Sequence, residues 1–188
     1  MKPIHLAVPG IRQNNNCGCG LAAINAVMAF EGDTATLHEL ERHKLVMPIF
    51  LDSWGLGPGR LGRVAIARGF DVTLIDPETK VIGKRFVDEG GHWVRRAPCK
   101  ADIDRALDEG VPCVACIPDK REAFAGTTHP GSHWIVVCGR DSRGEFVIHD
   151  PAPWRKATRC VTGYWDTWAC SLIVIRRKPG SAGMARAS

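Results

Sequence analysis

The chain has 188 residues, 45% of them hydrophobic and 24% charged, with a formal net charge of +5. That is enough for one domain with a sizeable core, in the composition range of ordinary soluble globular proteins. The arginines are dispersed, which argues against a nucleic-acid-binding stripe. No apolar run approaches the roughly 18 residues of a membrane span, and the first ten residues lack a secretory apolar core. The expectation is a cytoplasmic protein whose eight cysteines are reduced thiols and not a disulfide framework.

In chain order, 4–10 is a short leading segment, and 13–20 is a polar, glycine-bearing loop carrying Cys17 and Cys19. Leu21, Ile24, Val27 and Met28 then recur at helical spacing, and Gly32 closes the run, so a first helix is predicted there. A second helix is predicted over 34–43, capped by Asp33 or Thr34. Residues 45–59, rich in Pro and Gly and containing Trp54, read as loop. Leu61, Val64 and Ala65 ahead of Gly69 give a third helix, and 70–75 a strand. A further strand is predicted at 84–87, before the Gly90-Gly91 turn. Residues 101–109 read as a helix stopped by Gly110, 111–117 as a strand and 118–132 as loop. Two strands, 133–139 and 145–149, flank the link 140–144, and 170–176 closes the sheet. The small, polar stretch 178–188 reads as a disordered tail. Helices first and antiparallel strands later is an α+β order.

The chemistry concentrates at three places. A cysteine at a helix start faces unpaired N–H groups and the positive end of the dipole, a setting that favours a thiolate. Cys17 and Cys19 are both candidates on these grounds. A zinc site built from Cys17, Cys19, Cys113 and Cys116 competes with a nucleophile. However, Cys113 and Cys116 lie three apart in an apolar strand, where such positions face opposite sides. Among the seven histidines, His5, His38, His43 and His92 sit in polar or terminal settings. His129 precedes Pro130, so it cannot pair with His133 on a helix. His133 opens an apolar strand, where an unpaired imidazole has no structural purpose. A four-residue hairpin loop, 140–143, would place it directly opposite Asp150, at the strand tip before Pro151. Opposed Cβ atoms lie about 4.5–5.5 Å apart, within reach of an imidazole–carboxylate hydrogen bond. His149 would point to the other face.

Three blocks resemble the papain-like cysteine peptidases of the bacteriocin-processing type, which cut leader peptides after a double glycine. The first is Gln13-x5-Cys19-Gly20 with a small-residue helix running to Phe30-Glu31-Gly32. The second is His133-Trp134-Ile135-Val136-Val137. The third is Val147-Ile148-His149-Asp150-Pro151-Ala152, followed by Trp168 and a closing apolar strand. The stretch from Ile103 to Pro112 is also similar. The resemblance implies a papain-like α+β fold over residues 1–177 as a single domain, its N-terminal helices carrying the cysteine and its antiparallel sheet carrying His and Asp. It also implies that Cys19 is the nucleophile, because the family's oxyanion glutamine stands six residues earlier, at Gln13. Cys17-Gly18 offers a second register, with Asn14, Asn15 or Asn16 as donor. The family carries an acidic residue before its nucleophile, whereas this chain has Gly18.

The mechanism so implied is acyl transfer. His133 deprotonates Cys19, the thiolate attacks a carbonyl, Gln13 holds the oxyanion, and water hydrolyses the thioester. It calls for no metal or cofactor. The expected partner is a peptide or protein substrate, served by a stand-alone enzyme or one working with a separate export or biosynthetic partner. No nucleic acid or membrane span is expected. The same fold carries deubiquitinase-type isopeptidases, peptidoglycan amidases and acyltransferases, and a non-catalytic peptide-binding module is a further alternative.

Overall fold

The computed structural model describes residues 2–48, 55–77, 83–119, 131–153, 158–161 and 170–178. The predicted tail beyond residue 178, Trp54, His129 and Trp168 lie outside them. The first helix, α1 (Cys19–Phe30), is buried from Cys19 to Met28. Its leucine, isoleucine, valine and methionine are interspersed with alanines, and its one buried polar side chain, Asn25, donates to Ala35 O, as suits a helix enclosed by its neighbours. Its end coincides with Gly32, at φ 89°. The short α2 (Leu37–Glu41) starts at a capping box between Thr36 and Glu39, later than the predicted caps. Asp33 instead accepts from the backbone of Thr34 and Ala35 and pairs with Arg68. The third helix, α3 (Pro58–Ala67), starts with proline in its first turn, where the missing N–H costs nothing.

The predicted strand at 84–87 is a helix, α4 (Gly83–Asp88). Its alternation is overridden by Phe86, which is fully buried against the backbones of Gly62 on α3 and Gly91. The strand comes later, at β3 (His92–Val94), and lies parallel to β2 (Phe70–Ile75). The last helix, α5 (Lys100–Asp108), is capped by Cys99 with Asp102.

One sheet holds the remaining strands. They are β1 (Ile4–His5), β4 (Cys113–Asp119), β5 (Gly131–Arg140), β6 (Phe146–His149), β7 (Thr158–Val161) and β8 (Ser171–Arg177). The order is β3-β2-β8-β4-β5-β6-β7, with β1 added against β5. All these pairings except β2 with β3 are antiparallel. Side-chain alternation divides the interior in two. Val114, Cys116, Trp134, Val136 and Cys138 pack with α1, α2 and α3, while Cys113, Ala115, Ile135 and Val137 pack with α5. Cys113 and Cys116 therefore belong to different cores, which separates the ligands of the zinc alternative. Among the described residues no group of three or more His, Cys, Asp and Glu side chains is placed to hold a metal ion. No helix of the described residues is long and apolar enough to cross a membrane.

Candidate active site

Cys19 is the first residue of α1, with Gly18 as N-cap and no capping side chain. A helix start and its dipole favour an anion there. Two glycines bring the turn into place. A Cβ on Gly20 would lie 2.7 Å from Leu61 Cδ1 and 2.9 Å from Trp134 Cδ1, so only glycine lets α1 settle this closely on β5. A Cβ on Gly18 would collide with Asn15 Oδ1. Asn15 in turn donates from Nδ2 to Glu41 Oε1 at 3.0 Å. The loop thus folds an amide into the space that a side chain before Cys19 would occupy.

His133 and Asp150 are both fully buried side chains, with Nε2 and Oδ1 2.7 Å apart. They meet by a different route from the predicted one. The hairpin closes with Arg140 opposite Phe146 and Gly139 opposite Val147, and a bulge then shifts the register, so that Val136 faces His149. Extending that register sets Asp150 nearer Ile135 than His133. The two site residues are therefore diagonal, and Asp150, just past the end of β6, turns its carboxylate toward the ring. Its Oδ1 also accepts from Ala152 N at 3.0 Å.

Cys19 is the cysteine whose thiol acts on the protonation of His133. Cys17 stands two residues outside α1, half-buried, with its carbonyl beside Gly55. Burial alone would depress the pKa of His133. Hydrogen bonds to Asp150 and Cys19, reinforced by their charges, outweigh it and raise the imidazole to about 9. The ring thus favours its protonated form, with Asp150 and Cys19 both acting to raise it.

Gln13 is buried, 6% exposed, but its amide serves the loop. Nε2 donates to the carbonyls of Asn15 at 2.7 Å and Asn16 at 3.2 Å, and Oε1 has no hydrogen-bond partner among the described residues. Its backbone N–H donates to Pro151 O at 3.0 Å. Next to it, Arg12 donates to Asp150 O at 2.7 Å and Pro153 O at 3.1 Å. The segment before the cysteine therefore clamps the segment that follows β6. Sequence reasoning missed Arg12, an arginine in a polar loop with no pattern around it to signal its carbonyl partners.

Solved structures share this architecture. A Bacillus anthracis protein described as a C39-like peptidase superposes with a TM-score of 0.58 at 14% identity, over 95% of this chain and 99% of that one. The peptidase domain of Streptococcus ComA, a bifunctional ABC transporter involved in quorum sensing, gives 0.60 at 15% identity, over 93% and 100%. No curated protein sequence matches the chain. The fold is that of the papain-like cysteine peptidases. The chain belongs to the Peptidase_C39 like family, whose profile matches residues 5–169, and it is a cysteine peptidase.

Proposed function

We propose that the chain hydrolyses a peptide bond through Cys19 as nucleophile, His133 as general base and then acid, and Asp150 as the group that orients and charges the ring. The observation that carries this reading is the buried His133, bonded to Asp150 Oδ1 at 2.7 Å and raised in part by the thiol of Cys19 at the start of α1. Asp150 holds Nε2, so Nδ1 is the nitrogen left to exchange a proton with sulfur. The thiolate attacks the scissile carbonyl, and His133 gives its proton to the leaving amine. Water, deprotonated by the same ring, then opens the thioester.

Two donors are available to the oxyanion: the N–H of Cys19 at the helix start and the amide of Gln13. Gln13 would have to release a loop carbonyl to act, and the 3.2 Å bond to Asn16 is the weaker of its two. The substrate we favour is a peptide with small residues before the cleaved bond, of the double-glycine leader type. The family assignment supports a peptidase, and the resemblance of the Cys, His and Asp blocks supports the leader class.

The test uses a peptide aldehyde ending in Gly-Gly, with an Ala-Ala and a Leu-Arg aldehyde as comparisons, followed by intact-mass and peptide mapping. The expected result is a reversible hemithioacetal on Cys19 with the Gly-Gly compound, absent in Cys19→Ala and in His133→Ala. Modification of Cys17 instead would move the nucleophile. Equal capture of all three aldehydes on Cys19 would retain the mechanism and reject the leader specificity.

A further inference from the structure

We propose that Cys116 and Cys170 form an oxidisable dithiol, a redox site separate from the Cys19 nucleophile. Cys116 is in β4, 4% exposed, and faces Ser171 of β8 across the ladder. Cys170, the residue just before β8, is exposed. Its N–H donates to Cys116 O at 3.1 Å, and its thiol donates to the same carbonyl at 3.5 Å. The two backbones are therefore adjacent, the first condition for joining the sulfurs. The two thiols also act on each other's protonation. The other described thiols differ. Cys113 is pushed up to about 12 by burial, and Cys99, though exposed, has Asp102 as its bonding partner.

The pair is chemically asymmetric, as an attacking and a resolving thiol need to be. The hydrogen bond from Cys116 brings Cys170 down to about 7 against the opposing effect of burial. Cys116 is raised by that same bond and by burial, and Ser132 also bonds to it. With hydrogen peroxide as oxidant, the exposed Cys170 thiolate attacks a peroxide oxygen. The O–O bond breaks, hydroxide leaves, and a sulfenic acid forms. The Cys116 thiol then attacks that sulfur. An S–S bond forms, the S–O bond breaks, and water leaves with the Cys116 proton. Two thiols are oxidised and one peroxide is reduced to two waters. A small dithiol reverses the change.

The site borders the catalytic strand. Cys116 pairs with Trp134 and the next residue, Ile117, pairs with His133, while the charge of Cys19 bears on Cys116. The disulfide would therefore join β8 to the strand that supports the histidine.

The experiment exposes native wild-type and Cys19→Ala proteins to hydrogen peroxide at low molar excess, quenches with N-ethylmaleimide, and maps peptides without reduction. The expected product is the Cys116–Cys170 cross-link in both proteins, removed by dithiothreitol and absent in Cys170→Ser. Cys170 should oxidise about tenfold or more faster than Cys99. Accumulation of Cys170 sulfinic acid with Cys116 still alkylated would overturn the proposal. So would a cross-link from Cys116 to Cys19, or no oxidation at Cys170. Because the readout is the bond and Cys19 is absent from one arm, its failure is distinguishable from failure of the peptidase mechanism.

Discussion

Replacing Asp150 by asparagine keeps the side-chain shape beside His133 and removes one charge. In the native protein the ring is raised from 6.5 to about 9. At about 1.36 kcal/mol per pH unit, this is roughly 3 kcal/mol of preference for the imidazolium over the neutral ring, with both partners fully buried and unscreened. Asp150 is the first of the groups that oppose burial, ahead of Cys19. In Asp150→Asn the imidazole midpoint should fall by about one to two pH units, because burial then acts against the Cys19 contribution alone. The assay is a pH titration of the His133 ring by long-range proton–nitrogen NMR, with Cys19→Ser as the complementary variant.

The same shift has a stability consequence of fixed sign. A histidine raised in the folded state binds its proton more tightly than in the unfolded chain. Its contribution is complete below 6.5 and is lost as pH rises through about 9. Melting temperature should therefore drop by several degrees from about pH 6 to pH 9 in the native protein, and by clearly less in Asp150→Asn. A midpoint still near 9 in the variant would refute the reasoning, since it would show that the carboxylate does not set the charge of the ring.

Other substitutions separate catalysis from support. Gln13→Ala should cost about 10²–10³ in kcat if the amide reaches the oxyanion; a loss of melting temperature with kcat unchanged would make it a loop strut only. Arg12→Ala should destabilise by about 1–3 kcal/mol, because the carbonyls of Asp150 and Pro153 lose a charged donor, and urea unfolding measures it. Gly18→Asp should lose about 1–2 kcal/mol through collision with Asn15 and recover part of it in the double variant with Asn15→Gly. A double-variant loss equal to the sum of the single losses would show that the amide is not what excludes a side chain at this position. Gly20→Ala should cost about 1–3 kcal/mol from overlap with Leu61 and Trp134 and slow alkylation of Cys19, as followed by mass spectrometry.

Local patterns carried much of this fold into view. The buried helix after the cysteine loop was legible because an apolar run at helical spacing ends at Gly32, and the strand Phe70–Ile75 because alternation and flanking residues agreed. Alternation misled at Phe86, whose burial against two glycine backbones belongs to partners 24 and 5 residues away in sequence. The hairpin register was misread for a similar reason. Arg140 pairs with Phe146, a longer link than the four-residue loop assumed, and the bulge between Val137 and Gly139 restores only part of the offset, so direct opposition of His133 and Asp150 was expected where a diagonal approach occurs.

By itself, the sequence determined the residue types and their order: a thiol at a helix start, an imidazole opening an apolar strand, and a carboxylate at the tip of the next one. These are readable because helix caps, strand alternation and proline stops are short-range effects, written within a few residues of where they act. Only the tertiary structure decided which cysteine meets the histidine, where the amide of Gln13 goes, what fills the space beside Gly18, and that Arg12 holds the Asp150 segment. Each depends on contacts between residues distant in the chain, Arg12 to Asp150 across 138 positions. Such contacts are selected by burial and hydrogen-bond satisfaction in the packed interior, which no local pattern encodes.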